Sequence, residues 1–146
     1  MTTTIQINST QVDNALAQLL QRTQHLQPAF NDIGEAIKNN VLFGFRDEKS
    51  PDGINWAALS PQTIARRRNN SDKILNDTGR LKGSFAHVAT NSHVEITTDT
   101  EYAPFHQFGT SKFVARPFFP SATLPQAWES DVMDVLNSHL TIWKKF

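Results

Sequence analysis

The residues that invite a chemical reading are few. Asp77-Thr78-Gly79 is the sharpest. Asp-Thr-Gly is the turn on which aspartic proteases place a carboxylate, and two such carboxylates sharing a proton activate a water. A protease of the retroviral type supplies one copy per chain and dimerises, so 146 residues are enough. The surroundings argue against it. Asn76 precedes the turn where an apolar strand belongs, and Arg80 follows where a small residue belongs. No apolar pair followed by glycine comes later. The triplet reads instead as a helix cap, Asp77 or Thr78, ahead of residues 81–84.

Other chemistries fare no better. There is no Cys, so no disulfide, thiolate metal site or Cys nucleophile is available. The five His do not pair at ligand spacing. With a two-residue turn at Asn91-Ser92, His87 and His93 point to opposite faces of a hairpin. His25, His106 and His139 are scattered. The six Gly are dispersed, and none forms a phosphate loop. No catalytic residue, cofactor or metal is expected.

Arg66-Arg67-Arg68 is the stronger feature. Three successive residues on a helix fan over most of its circumference, so at least one is exposed. Three readings stand: phosphate contact, a charged protein interface, or the solvated face of a polar helix. The triplet sits in a basic stretch. Residues 61–83 hold six basic and two acidic side chains, a net of +4. The segments on either side hold four basic and six acidic each, a net of −2. The neutral total argues against a dedicated nucleic-acid binder. A basic patch between acidic flanks suits an oppositely charged partner. Aromatic interleaving, expected of a single-strand binder, is absent around the triplet.

A second cluster is aromatic. Tyr102, Phe105 and Phe108 recur every three residues, one face of a helical turn. Phe113, Phe118 and Phe119 follow, with Pro117 and Pro120 stiffening the segment. Most of these read as core, and the rest as cover for a neighbouring subunit.

These residues need a scaffold, and the pattern predicts one of the α+β class. Residues 3–8 alternate as a short edge strand. Ser9 or Thr10 caps an amphipathic helix over 11–25, and Pro28 opens a second with Phe30, Ile33, Ile37, Val41 and Phe45 on its stripe. Pro51-Asp52-Gly53 is a turn. Ser60-Pro61 starts a short helix over 62–68. Residues 85–90 and 94–98 alternate as a β-hairpin. Thr100 caps a short helix from 101 that Gly109 ends. Pro125 starts the last helix, with Trp128, Val132, Val135, Leu136, His139 and Trp143 on its buried face. The expectation is a small antiparallel sheet, the hairpin at 85–98 plus the N-terminal strand. Two N-terminal helices, short middle helices and a C-terminal helix pack with it, in one domain over 1–146. Loops at 47–54 and 110–116 read as segments that a partner orders. The N-terminus MTTTIQINSTQ has neither a basic nor an apolar region, so no secretory signal is expected. The longest apolar stretch, 41–45, is far short of a membrane span.

The order of the short motifs is itself informative. Phe43-Gly44-Phe45 precedes Ser50-Pro51-Asp52-Gly53-Ile54-Asn55-Trp56-Ala57-Ala58-Leu59. Ile74-Leu75-Asn76-Asp77-Thr78-Gly79-Arg80-Leu81-Lys82-Gly83-Ser84 comes next. Tyr102-Ala103-Pro104-Phe105-His106-Gln107-Phe108-Gly109 and Arg116-Pro117-Phe118-Phe119-Pro120 close the series. Over about residues 40–120 the chain resembles the phage virion morphogenesis family, the Mu protein G-like and tail-completion group. Pro104 and Phe119-Pro120 depart from the family pattern, which implies a rearranged local contact.

The resemblance implies a non-enzymatic structural protein of a tailed phage or prophage that completes the tail or joins it to the head. It brings no catalytic site, cofactor or metal. Its partners would be other phage structural proteins, either the tail tube and terminator or the head–tail connector. Related groups form rings, and a head-to-tail contact between copies closes one. Location would be the host bacterial cytoplasm during assembly and then the virion, with no membrane and no nucleic acid. Contact is expected at Trp56, Arg66, Arg67, Arg68, Arg80, Phe105, His106, Phe108, Arg116, Phe118 and Phe119. Two alternatives stand beside this one: a capsid-assembly factor acting before tail joining, and a DNA-contacting module at the portal whose binding falls steeply with salt.

Overall fold

The computed structural model of the chain describes residues 9–21, 23–67, 73–75 and 78–144. The strand expected at 3–8, Arg68, Asp77 and the side chain of Trp143 lie outside the described residues. Among the described residues, five α-helices and one hairpin follow in the order α1 (Thr10–Leu20), α2 (Gln27–Asp47), α3 (Pro61–Arg66), β1 (Phe85–Ala89), β2 (Val94–Thr98), α4 (Ala103–Phe108) and α5 (Gln126–Lys144), with a 3-10 turn at Lys82–Ser84. The α+β class and the antiparallel hairpin stand as expected, and among the described residues the sheet has these two strands.

Local chemistry sets the ends of these elements. Ser9 caps α1, its Oγ accepting from the Val12 N–H at 3.2 Å. The same hydroxyl donates to Glu129 at 2.8 Å and ties α1 to the start of α5. α1 stops at Leu20, short of the expected 25. The residues beyond it, Gln21, Gln24 and His25, are exposed and offer no apolar face to bury. Leu26 is buried at the entrance to α2 instead.

α2 is the spine. Phe30, Ile33, Val41 and Phe45 are all buried along its 21 residues. The hairpin lies hard against it. A Cβ added at Gly34 would meet the His87 ring at 2.7 Å and the Val94 side chain at 2.8 Å, so only glycine permits this approach. The register pairs Phe85 with Thr98 and His87 with Ile96. Phe85, His87 and Ala89 therefore share one face, turned to the core, while Ala86 and Val88 are exposed.

The core has two centres strung along α2 and α5. One gathers Leu19, Phe30, Ile33, Val132 and Leu136 from α1, α2 and α5, with Leu26 at the entrance to α2. The other is an aromatic knot. Phe45 meets Trp56 at 5.3 Å edge-on, Phe85 at 5.6 Å and Phe118 at 5.9 Å between centroids. Phe118 and Phe119 meet each other at 4.9 Å, and both touch Phe85. Such ring pairs contribute beyond their area burial.

The segment at 47–54, expected to await a partner, is a closed turn. Ser50 and Ile54 are joined by an N–H to carbonyl bond of 2.8 Å, Gly53 adopts φ 83°, and Lys49 bridges Asn55. Phe118 is 1% exposed and touches three other rings. Phe118→Ala should therefore lower unfolding free energy by about 4 kcal/mol, read as a shift of the urea midpoint at unchanged m-value.

Candidate functional site

The site is built by a strap, residues 109–117, that returns across the surface from α4. Gly109 opens the strap at φ 73°, and a Cβ there would meet the Ala115 backbone nitrogen at 2.9 Å. Thr110 fixes the tip. Its Oγ1 accepts from the N–H groups of Lys112 at 3.1 Å and Phe113 at 3.0 Å. Its own N–H donates to the Phe113 carbonyl at 2.9 Å. This loop too, expected to be ordered by a partner, is held by its own hydrogen bonds.

Three side chains anchor the far end of the strap. Gln107 is buried and acts as a piece of surrogate backbone. Its Oε1 accepts from the N–H groups of Phe118 at 3.0 Å and Phe119 at 2.9 Å, and its Nε2 donates to the Phe119 carbonyl at 2.9 Å. The Trp56 indole N–H donates to the Pro117 carbonyl at 2.8 Å. Arg116 spans two successive carbonyls, donating from Nε to Ala57 at 2.8 Å and from Nη2 to Ala58 at 3.0 Å. The strap is thereby stitched to the segment that leads into α3.

Between strap, α3 and the turn at 78–81 lies a cleft of about 810 Å³. Arg66 and Arg67 reach it from the end of α3, Arg80 from the turn, His106 from α4, and Lys112 and Arg116 from the strap. Among the described residues its lining holds no Asp or Glu. The Arg80 guanidinium lies over the Tyr102 ring, 5.7 Å from its centroid, and His106 meets the same ring edge-on at 5.7 Å. Arg67 donates to the Lys73 carbonyl.

Burial, then the charges of Arg116 and Arg67, hold the His106 imidazole below its ordinary value of 6.5. Burial and Arg67 likewise hold Arg116 below the usual guanidinium range.

Behind the strap is a separate apolar hollow of about 520 Å³, walled by Pro51, Ile54, Trp56, Phe108, Ala115 and Pro117. Successive strap residues thus face different cavities: Arg116 the basic cleft, Ala115 and Pro117 the hollow.

The residues singled out from sequence divide into four groups. Arg66, Arg67, Arg80, His106 and Arg116 come together in the cleft. Phe105 and Phe108, 53% and 64% exposed, stand on the outer side of α4. Trp56, Phe118 and Phe119 are buried in the aromatic knot. Arg68 lies outside the described residues. Arg66 and Arg67 do not fan around one helix as expected. α3 ends at Arg66, and Arg67 is extended at φ −77°, ψ 140°. Nor does Thr100 cap α4 with its side chain: the helix starts at Ala103, whose N–H bonds the Thr100 carbonyl at 3.1 Å. Thr78 accepts from the Arg80 N–H at 3.3 Å, fixing the turn that delivers Arg80.

Two site residues escaped the sequence reading. Lys112 carries a charge beside Phe113 that passes for ordinary surface. Gln107 shares the buried side of α4 with Ala103 four residues earlier, the spacing that marks an inward face. Among the described residues, no group of three His, Cys, Asp or Glu is placed to hold a metal ion. No described helix is long and apolar enough to cross a membrane.

Two outcomes follow. Gln107→Leu strands the buried N–H groups of Phe118 and Phe119 and should cost on the order of 3 kcal/mol, measurable by urea unfolding. The depressed His106 pKa means that the unfolded chain binds this proton more readily. Its contribution to stability is complete above 6.5 and is lost as pH falls from there toward the folded value. Urea midpoints taken from roughly pH 7 to pH 5 should fall, and fall less steeply in His106→Asn.

Comparison with known proteins agrees with the motif order. No curated protein and no solved structure matches the chain. The model of the phage virion morphogenesis family matches residues 7–128. That span runs from before α1 into the first turn of α5 and includes every residue of the cleft. The chain belongs to the phage virion morphogenesis family, a non-enzymatic family of assembly proteins.

Proposed function

We propose that this protein completes the phage tail or joins the tail to the head. It acts as one domain over residues 1–146, assembled as a ring-forming homo-oligomer among other phage structural proteins. It works in the host bacterial cytoplasm during assembly and remains in the virion. The observation that carries the reading is the basic cleft beside an exposed aromatic surface, on a chain of a virion morphogenesis family. Phe105, Phe108 and Phe113 are each more than half exposed, within a short stretch of chain. Large apolar side chains left in water at one place mark an interaction surface. Charge supports contact with another chain: the cleft is cationic on a chain that is neutral as a whole, a surface suited to an oppositely charged partner. Trp56, Phe118 and Phe119 serve the contact from inside, by holding the strap in place.

Electron microscopy of lysates from a prophage with this gene disrupted tests the reading. Full heads beside separate tails, or tails of altered length, are expected. Missing or malformed heads would transfer the protein to capsid assembly. The double variant Arg66→Glu/Arg80→Glu alters exposed side chains and should fold normally by circular dichroism. It should lower phage yield as far as gene disruption does. A normal yield removes the cleft from the function.

A further inference from the structure

The cleft is selective enough to describe its occupant, granted the reading above that the protein docks on virion neighbours. We propose that it receives an extended peptide segment of another virion protein, one carrying carboxylates on either side of an aromatic or large aliphatic side chain.

The charge requirement comes from side chains whose charge is left uncompensated. Among the described residues, no carboxylate lies within ion-pair distance of Arg66, Arg80 or Lys112. This holds although the chain has as many acidic as basic residues. Of the five N–H donors of a guanidinium, Arg116 spends one on Ala57 and one on Ala58. The others remain for a ligand, on a side chain already locked in position. Carboxylates are matched acceptors for such donors. They would also offset the Arg116 and Arg67 charges that, after burial, hold the His106 imidazole below its ordinary value.

The apolar requirement comes from the strap. Phe113 and Val114 line the cleft and are 57% and 56% exposed. The Thr110 turn fixes the backbone of Phe113. A large ring presented on a fixed turn, ringed by charge, has the make-up of an interface anchor.

Nucleic acid fits less well. A duplex offers its phosphates on a convex cylinder, and this surface is concave. A single strand needs open aromatic faces on which bases stack. Tyr102 in the cleft already carries Arg80 over its face and His106 at its edge. A carboxylate-bearing peptide uses the cations and the apolar wall together.

The test is fluorescence anisotropy on the full chain. The probe is a labelled peptide Glu-Asp-Leu-Phe-Asp-Glu. Its controls are Gln-Asn-Leu-Phe-Asn-Gln, Glu-Asp-Gly-Gly-Asp-Glu and a short oligothymidylate. The acidic–apolar peptide should bind, and each peptide control should bind about tenfold more weakly or less. Affinity should fall as salt rises. Arg66→Gln/Arg80→Gln and, separately, Phe113→Ser should each weaken the probe by about tenfold. Both change exposed side chains, and circular dichroism checks their fold. Binding that ignores these substitutions overturns the proposal, as does no binding. Tighter binding of oligothymidylate assigns the cleft to nucleic acid. If no peptide binds, and sedimentation velocity shows self-association lost in the arginine variant, the cleft belongs to a second copy. Failure here with the disruption phenotype intact removes only the occupant. A disruption without effect removes the assembly role and leaves the peptide result standing.

Discussion

The contact between Phe45 and Phe118 is the one on which the rest depends. Phe45 sits near the end of α2, and Phe118 sits where the strap re-enters the core. Around this pair close Trp56, Phe85 and Phe119, each from a different stretch of chain or a different side of the knot. A helix, a hairpin strand, a loop and the strap therefore meet at one centre. The short helices around this centre do not stabilise themselves. α3 and α4 have six residues each, well below the length at which a helix persists alone. The walls of the cleft exist because aromatic burial fixes their roots.

Polar groups then set what burial leaves undetermined. Apolar packing holds the strap down but does not choose its register. Gln107, with three bonds to the backbone of Phe118 and Phe119, chooses it. The bidentate grip of Arg116 on Ala57 and Ala58 sets the distance between strap and α3. Burial first, and then the fixed charges of Arg116 and Arg67, hold the His106 imidazole below its ordinary value. An interior of rings and an exterior of fixed positive charge are thus two results of one arrangement.

Much of the scaffold was legible from spacing. The α2 stripe, the hairpin and the caps at Ser9 and Ser60 follow from local rules, and local rules hold where each residue answers to its own element. The aromatic repeat at Tyr102, Phe105 and Phe108 was read as core in part and as cover for a neighbour in part, and spacing alone does not divide it. Its period of three resembles a buried face, but α4 turns Ala103 and Gln107 inward and leaves both Phe side chains in water. The cleft was only half legible. Segment charge located Arg66 and Arg80, but Arg116 and Lys112 come from a stretch whose net charge is negative. Charge summed along a chain does not map onto a surface assembled from three distant segments. Gln107 has no signature of its own, because its role is defined by backbone that lies eleven and twelve residues further on.

The strap is one chain thick and walls two cavities at once. Ala115 and Pro117 face the apolar hollow, and Arg116 between them faces the basic cleft. A bulkier residue at 115 narrows the hollow, and the displaced backbone carries Arg116 with it. Neither surface can drift independently over generations. A lineage that acquires a new neighbour on one side must refit the other in step, so substitutions at 113–117 should be inherited in sets across related phages.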